Sequence, residues 1–381
     1  MSKLEDLIQS LCPNSVEWKE LGEVCEFKRG QPLKSTEAIE GNIPVISGGQ
    51  RPAFYHNISN RNGNIITVAG SGAYAGFVSY WNNPIFCSDS FTVNVKDFYK
   101  LNIKYIYYFL KNKQNFIYSL KKGAGIAHVY AKDISNFKIP IPPLEIQEEI
   151  VHILDSFTEL TNELTNELTA RRKQYKHYRD NLLTFGDEVE RKPLADVCEL
   201  TMGTSPKGNT ISSEKNNYNI EFHQGKTFFG YSLINHSQLY TNSPIKIAES
   251  ESVIMSVRAP VGDVNMTNRR IAIGRGLCSI IGKSKLNTKF LYYFINSNKN
   301  ELKKKSNGST FESINTDDIK SFKIPIPPLS EQERIVSILD KFDSLCNDIT
   351  KGLPAEIEAR KKQYEYYRDK LLTFKDISEN K

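Results

Sequence analysis

The side chains that could perform chemistry are scattered along this sequence. Its six histidines lie at irregular intervals between His56 and His236, and its six cysteines form no CxxC pair. The sequence contains no HExxH, GxxxxGKS/T or GxSxG pattern, the signatures of a zinc protease, a P-loop and a serine hydrolase. We therefore expect no catalytic residue and no metal ligand, and we interpret the chain as a non-enzyme.

Three short motifs partly match cofactor sites. Asn83-Pro-Ile-Phe86 is similar to the Asn-Pro-Pro-Tyr/Phe motif of amino-methyltransferases, but Ile85 replaces the second proline and no glycine-rich loop opens a βαβ unit upstream. Gly70-Ser-Gly72 and Gly123-Ala-Gly125 do not continue into a known phosphate-loop pattern. We interpret the first as a chance match and the other two as weak signals.

Binding chemistry is better represented. The net charge is only +6, but basic residues recur in five clusters: Lys121-Lys122, Arg171-Arg172-Lys173, Arg269-Arg270, Lys303-Lys304-Lys305 and Arg360-Lys361-Lys362. Any one cluster is compatible with a solvated face. Five of them on an otherwise charge-balanced chain favour a localised anionic partner.

The totals indicate a protein with two domains. A chain of 381 residues, 39% hydrophobic and 25% charged, can build two ordinary cores. It has no apolar run of about 18 residues and opens on a short amphipathic helix pattern rather than a signal peptide. Cys25 and Cys198 each lie in a Val-Cys-Glu sequence. We interpret these cysteines as buried thiols of a reduced, cytoplasmic protein.

An exact repeat organises the chain. Phe137-Lys-Ile-Pro-Ile-Pro-Pro-Leu144 recurs as Phe322-Lys-Ile-Pro-Ile-Pro-Pro-Leu329, and a long helical pattern follows each copy. The two copies begin 185 positions apart, at 137 and 322, so the chain of 381 residues contains two similar units in succession. This arrangement indicates a tandem duplication.

The elements around the repeat predict an α+β fold. Short β-type runs with glycine-rich turns fill residues 16–136, and a helix fits Ile103 to Asn112. The prolines of residues 137–143 exclude a helix and predict a stiff connector. From Leu144 an apolar stripe at helical spacing predicts a helix of about 41 residues, about 62 Å long, which needs another helix to cover it.

The second helical pattern supplies that cover. Gly352 and Pro354 should break or kink it. We predict two globular units joined by two long antiparallel helices, a coiled-coil spacer with pseudo-two-fold symmetry. The predicted segments are 1–143 for the first unit with its N-terminal helix, 144–189 for the first spacer helix, 190–328 for the second unit and 329–381 for the second spacer helix.

Several of these motifs also occur together in a known family. They are the paired Ile-Pro-Ile-Pro-Pro-Leu segments, the stretches from Ala170 to Asp180 and from Ala359 to Asp369, Gly352-Leu-Pro354, and the tandem Thr161-Asn-Glu-Leu-Thr-Asn-Glu-Leu168. Over essentially its full length the chain resembles the specificity (S) subunits of type I restriction-modification enzymes.

The resemblance implies that the globular units are target recognition domains. Each would read one half of a bipartite, asymmetric double-stranded DNA site. The helices would set the spacing and dock two methyltransferase (M) subunits, which bind S-adenosylmethionine and methylate adenine; restriction (R) subunits would add cleavage. This chain itself would bind no cofactor and no membrane. Each four-residue copy in the tandem would lengthen the spacer by about 6 Å, nearly two base-pair rises of about 3.4 Å.

The residues that contact DNA have to be chosen on physical grounds, because base edges are read by polar and basic side chains on loops. In the first unit we predict Gln50, Arg51, Ser71, Tyr74, Lys121, Lys122, His128 and Tyr130. In the second unit we predict Lys226, Arg258, Arg269, Arg270, Arg275, Lys304 and Thr310. For contact with partner subunits, or with DNA along the spacer, we predict Arg171, Arg172, Arg360 and Lys361.

Two other functions are compatible with parts of the sequence. A stand-alone methyltransferase or nuclease would need a cofactor loop or a metal cluster, and we find neither. A coiled-coil scaffold that binds only protein would leave the divergent loops of the two units unexplained.

Overall fold

The computed structural model describes residues 2–304, 313–348 and 350–375. The chain forms two compact units. The first takes the described residues up to Glu163 and from Ile357 onward, and the second takes those from Leu164 to Glu356. In the part of the chain that is described, no helix is both long and apolar enough to cross a membrane.

The first unit begins with short helices and strands and leads into a long helix whose residues from Leu164 onward belong to the second unit. In chain order its elements are α1 (Ser2–Leu11), β1 (Glu17–Glu20), α2 (Leu21–Val24), β2 (Cys25–Arg29), β3 (Ile43–Ile46), β4 (Phe54–His56), β5 (Ile65–Ala69), β6 (Val78–Trp81), β7 (Phe86–Cys87), β8 (Ser90–Val95), α3 (Ile103–Asn112), α4 (Gln114–Ser119), α5 (Ala131–Ser135), β9 (Lys138–Ile141) and α6 (Leu144–Leu182).

Two sheets form the body of this unit. Four strands pair in the order β2-β8-β5-β6, and three pair in the order β4-β3-β7, with β3 and β7 parallel. Helix α3 covers the larger sheet with Tyr105, Ile106 and Phe109, all buried. Asn102 caps this helix, because its side chain accepts a hydrogen bond from the Lys104 amide at 2.8 Å. These helix bounds match the sequence prediction.

The proline-rich segment is a strand rather than a simple connector. Residues Lys138–Ile141 form β9, which pairs antiparallel with β1 and sets Pro140 opposite Trp18. Proline excludes a helix here, but an edge strand tolerates it wherever the missing N–H would face away from the neighbouring strand. The same pairing recurs in the second unit, between the second proline-rich segment and the strand formed by residues 191–193.

The second unit has more strands, and several are only two residues long. Its elements are β10 (Arg191–Pro193), α7 (Leu194–Val197), β11 (Cys198–Met202), β12 (Ile211–Ser212), β13 (Ile220–His223), β14 (Tyr240–Thr241), β15 (Ile247–Ala248), β16 (Val253–Ser256), β17 (Val264–Met266), β18 (Ile271–Ile273), β19 (Leu277–Gly282), α8 (Thr288–Ser297), α9 (Lys299–Lys304), α10 (Thr316–Lys320), β20 (Lys323–Pro325) and α11 (Leu329–Asn347); α12 (Leu353–Leu371) follows and continues into the first unit.

The topology of the second unit repeats that of the first. Its four-stranded sheet has the order β11-β19-β16-β17, which corresponds strand by strand to β2-β8-β5-β6. Its other sheet has the order β12-β14-β13-β18-β15, and the parallel pair β13-β18 corresponds to β3-β7. The repeat therefore extends through the centres of the two units, where the sequences do not align.

A buried glutamine joins the first turn of α6 to the loop before α3, and another joins the first turn of α11 to the loop before α8. Gln147 is fully buried; its side-chain oxygen accepts from the Asn102 amide at 2.9 Å, and its Nε2 donates to Lys100 O and Pro142 O. Gln332 makes the corresponding bonds, accepting from the Asn287 amide at 2.8 Å and donating to Lys285 O and Pro327 O. Both residues belong to the duplicated Pro-Leu…Gln motif.

The helices are packed by aromatic contacts within each unit. In the first unit Phe157 of α6 stacks on Tyr367 of α12, with ring centroids 5.5 Å apart. In the second unit Tyr175 and Tyr178 of α6 lie against Phe342 of α11, at 6.3 and 5.5 Å.

The segment between α11 and α12 brings two stretches of backbone close together. A side chain at Gly352 would place its first carbon 2.4 Å from Ser344 O, so only glycine fits there. Pro354 occupies the first turn of α12, where a missing N–H costs nothing.

Candidate nucleic-acid interface

The first unit carries a groove of about 560 Å³ at the ends of its strands, which we call the first groove. Its lining includes Arg29, Lys34, Ser47, Asp89, His128 and Tyr130. Three loops meet there because their backbones hydrogen-bond to one another: Gly70 N donates to Asp89 O and Val129 N donates to Gly70 O, each at 3.1 Å. The result is a solvent-open groove bordered by basic, acidic and aromatic side chains.

Four of the eight residues predicted for the first unit lie at or beside this groove. Ser71 and Lys122 both form backbone bridges with His128, whose ring stacks on Tyr130 at 6.0 Å between centroids. Lys122 also forms an ion pair with Asp133 at 2.6 Å, so part of its charge is neutralised.

The other predicted residues occupy the neighbouring loops. Lys121 Nζ donates to Ala73 O at 2.8 Å and lies 4.6 Å from the centre of the Tyr118 ring. Gln50 lies beside the Tyr118 hydroxyl. Arg51 is exposed on the loop before β4, and Tyr74 is exposed on the loop after β5. Which of these residues contact a ligand stays a prediction.

The second unit carries a corresponding groove of about 570 Å³, which we call the second groove. Its lining includes Gln224, Lys226, Phe228, Ser256, Arg258 and Arg275. It is built in the same way: Gly274 N donates to His223 O at 2.7 Å, and Val257 N donates to Gly276 O at 2.9 Å.

The residues predicted for the second unit divide between the groove and other places. Lys226, Arg258 and Arg275 line the groove. Arg269 and Arg270 do not, since they pair with Glu221 and Glu249. Lys304 is exposed at the end of α9, and Thr310 lies outside the described residues.

One lysine of the second groove has an acidic partner. Lys226 forms an ion pair with Asp263 at 2.7 Å, and Lys299 pairs with the same carboxylate. Burial raises the pKa of Asp263, but the two ammonium groups outweigh this and hold the pKa below its ordinary value. The carboxylate is therefore ionised and reduces the positive charge that Lys226 can offer a ligand.

Arg269 is a brace within the second unit. Its guanidinium donates to both carboxylate oxygens of Glu221 and to the carbonyls of Ile234 and Asn235, the last at 3.0 Å. The Glu221 side chain is only 10% exposed. Burial raises the pKa of Glu221, but hydrogen bonds from Arg269 and from the Ser237 amide bring it below its ordinary value.

We predict that Arg269→Gln destabilises the second unit, because it leaves a buried carboxylate without its cation. The free energy of unfolding should fall by about 3 kcal/mol at neutral pH. A lowered carboxyl pKa contributes stability above the ordinary value and loses it as the pH falls through the lowered value. The variant and the parent should therefore converge in acid, as measured by chemical denaturation across pH.

Arg270→Gln is the matched control for that substitution. Its pair with Glu249, 3.0 Å long, is more than half exposed on both sides. Such pairs contribute under about 1 kcal/mol. Equal losses of stability in the two variants would show that Arg269 is not the brace described.

Sequence reasoning missed three groove residues whose positions depend on tertiary structure. Arg29 ends β2, Lys34 follows it, and Asp89 lies in the two-residue turn between β7 and β8. The Ser-Asp-Ser sequence around Asp89 was a usable turn signal. In the second unit Gln224, directly after β13, was missed in the same way.

The four residues predicted for partner contacts are distributed between the units. In the second unit Arg171 bonds to Glu167 and Gln174, and Arg172 reaches Cys346 O at 3.5 Å. In the first unit Arg360 donates to Gln363 at 3.1 Å, and Lys361 lines a cavity of about 330 Å³.

In the part of the chain that the structure describes, no group of three or more His, Cys, Asp or Glu side chains could hold a metal ion. His223 is fully buried, and burial lowers its pKa to about 4, so it is neutral at physiological pH.

Comparison with known proteins gives one consistent result. A family profile for the type I restriction modification DNA specificity domain matches residues 13–171 and again residues 186–359. The specificity subunit of the EcoR124I/EcoR124II type I restriction enzymes of Escherichia coli is 33% identical over 418 residues, covering 98% of this chain and 97% of the relative.

Solved structures share the fold. The S subunit of a type I restriction-modification system from M. genitalium has a TM-score of 0.65 at 18% identity, with 94% of this chain and 97% of that one covered. A chain from a study of complex assembly and conformational transition of the type I restriction-modification system has a TM-score of 0.63 at 25% identity, covering 94% and 98%.

Proposed function

Because this chain belongs to the family of type I restriction-modification specificity subunits, we propose that it reads a bipartite, asymmetric DNA site, one half with each unit. A specificity subunit determines the DNA target of its complex and is not the catalytic subunit. The chain thus recognises a DNA sequence in association with other subunits, and the division of labour within it is our proposal.

The observation that carries this proposal is the pair of grooves. Each lies at the same strand ends of a repeated topology, and each is lined by basic and polar side chains on loops. Backbone amides, arginines and lysines fix a protein on DNA, and polar side chains on the same surface read base edges. The two linings differ in sequence, which suits two unlike half-sites.

The helices are the proposed spacer. We propose that α6 runs antiparallel to the α11–α12 segment as a coiled coil, giving the chain pseudo-two-fold symmetry. The tandem Thr-Asn-Glu-Leu lies in α6, and the boundary between the compact units falls within it, between Glu163 and Leu164. A change of length there would change the distance between the units without altering either groove.

The chemistry is proposed to come from partner subunits. Two M subunits would bind S-adenosylmethionine and methylate adenine, and R subunits would add cleavage. The basic residues Arg171, Arg172, Arg360 and Lys361 are the proposed contacts to these partners or to DNA beside the helices. A complex that modifies chromosomal DNA would act in the cytoplasm.

Genome-wide mapping of methyladenine in cells that contain the M partner, with and without this chain, tests the proposal. We expect a bipartite motif that is present only with the chain. Methylation that is indifferent to the chain would contradict the proposal and favour a protein-binding scaffold. S-adenosylmethionine binding by the purified chain would favour a methyltransferase.

A further inference from the structure

The two grooves contain one equivalent turn. In the first unit it joins β7 to β8 and consists of Ser88 and Asp89; in the second it joins β18 to β19 and consists of residues 274–276. The backbone bonds on both sides correspond. Ser88 N donates to Ile46 O as Gly274 N donates to His223 O, and Gly70 N donates to Asp89 O as Val257 N donates to Gly276 O.

The side chains on this turn have opposite charges. Asp89 lines the first groove and Arg275 lines the second, and both are exposed. The two charged residues lie on the same turn but not at the same position, because Asp89 O corresponds to Gly276 O and Arg275 is an additional residue of the second turn. Ser71 and Arg258 do correspond, since Ser71 comes one residue after Gly70 and Arg258 comes one residue after Val257. The duplicated scaffold therefore presents a carboxylate with a hydroxyl in one groove and two guanidinium groups in the other.

The carboxylate of Asp89 is oriented but not neutralised. One of its oxygens accepts a hydrogen bond from Ser71 Oγ, and none of the ion pairs found among the described residues involves Asp89. Asp89 lines the same groove as Arg29 and Lys34. These cations can hold phosphates nearby, which offsets the repulsion between a carboxylate and DNA.

Arg275 is the opposite case. Its backbone amide donates to Ser205 Oγ at 3.4 Å, while its guanidinium has no acidic partner among the described residues. In the same unit the guanidinium groups of Arg269 and Arg270 both pair with a glutamate. The five N–H donors of the Arg275 guanidinium are not committed to a carboxylate among the described residues.

Base edges in the major groove distinguish these two chemistries. Cytosine presents an amino group, which a carboxylate accepts from, whereas guanine presents the O6 and N7 acceptors, which an arginine fork donates to. A carboxylate facing guanine, or a guanidinium facing the cytosine amino group, has no such bond to make.

We propose that Asp89 accepts a hydrogen bond from a cytosine amino group in one half-site, and that Arg275 donates to a guanine in the other half-site. This inference rests on the proposed function. It assigns to one equivalent turn of the duplicated scaffold a base-reading role with opposite hydrogen-bonding character in the two units.

Mapping methyladenine with the complete complex tests the inference, using Asp89→Asn and Arg275→Gln in place of the parent chain. With Asp89→Asn, one cytosine position in one half-site should lose its discrimination by about tenfold or more, while the other half-site is unchanged. With Arg275→Gln, one guanine position in the opposite half-site should change by a similar factor. Glu26→Gln and Lys215→Gln, which remove exposed charges outside both grooves, should leave every position unchanged.

Each result separates the inference from the proposed function. A parent chain that directs no bipartite motif defeats the proposed function itself. A parent motif that neither groove variant alters, or a change at another base or in the same half-site for both variants, overturns the inference and leaves the proposed function standing.

A variant that fails to fold is recognised by its thermal unfolding, and the DNA is then altered instead. The parent complex should bind at least about tenfold more weakly when the assigned guanine is replaced by 7-deazaguanine, or when the assigned cytosine is replaced by a pyrimidinone without the amino group. Unchanged binding to every such duplex, with each cytosine and guanine of the motif tested in turn, overturns the inference.

Discussion

Deletion of Thr165 to Leu168 is expected to shorten the central gap of the methylated motif by about two base pairs and to leave both halves unchanged. The segment lies within α6, where four residues span about 6 Å, nearly two base-pair rises of about 3.4 Å. Because four residues are close to one helical turn, the deletion rotates the remainder of the helix by only about 40°. Methyladenine mapping with the complete complex measures the gap directly.

The matched control for the deletion keeps the helix length. Asn162→Ala with Asn166→Ala changes two exposed side chains of the same tandem, and alanine favours the helix. This double variant should give the parental gap. A deletion that leaves the gap unaltered, or that changes the bases recognised in either half, would show that α6 does not set the spacing.

Gln147→Leu is expected to lower the free energy of unfolding of the first unit by about 3–5 kcal/mol. The substitution leaves the Asn102 amide and the carbonyls of Lys100 and Pro142 without their side-chain partner. A buried, unsatisfied polar group costs about 1–3 kcal/mol. The bond to Pro142 is buried and the other two are partly buried, and the added apolar contacts of leucine offset only part of the loss.

Gln332→Leu should produce the same loss in the second unit, because its bonds are the same. Glu148→Gln, at the exposed neighbour of Gln147, is the control and should change stability by less than about 0.5 kcal/mol. Chemical denaturation gives the total change, and hydrogen exchange assigns it to a unit. A loss below about 1 kcal/mol in both leucine variants would mean that the glutamines do not fasten the helices.

The duplication, the helices and the family were accessible from the linear sequence. The two Phe-Lys-Ile-Pro-Ile-Pro-Pro-Leu segments have the same local structure. Each forms an edge strand and leads into a helix, whose first turn is then fixed by a glutamine. Helix α3 has the bounds that were predicted, since the spacing of its aromatic residues is a local signal.

The correspondence between the centres of the two units was not accessible in this way. Strands β16 and β5 occupy the same place in their sheets, although the sequence around β16 has no close match in the first unit. A buried strand requires only side chains that fit a pleated surface. The residues of such a strand can therefore be substituted while its backbone pairing with neighbouring strands persists. Topology is thus retained after sequence similarity has been lost.

The composition of each groove was decided by contacts between residues far apart in the chain. Asp89 and Arg275 lie on the corresponding turns of the two units only because parallel strands bring these short turns to the same sheet edge. Arg269 was a reasonable DNA contact by residue type, yet Glu221, 48 residues away, holds its guanidinium as a brace. The sequence shows which side chains are capable of binding, whereas tertiary structure determines which of them already have a partner and which remain available to a ligand.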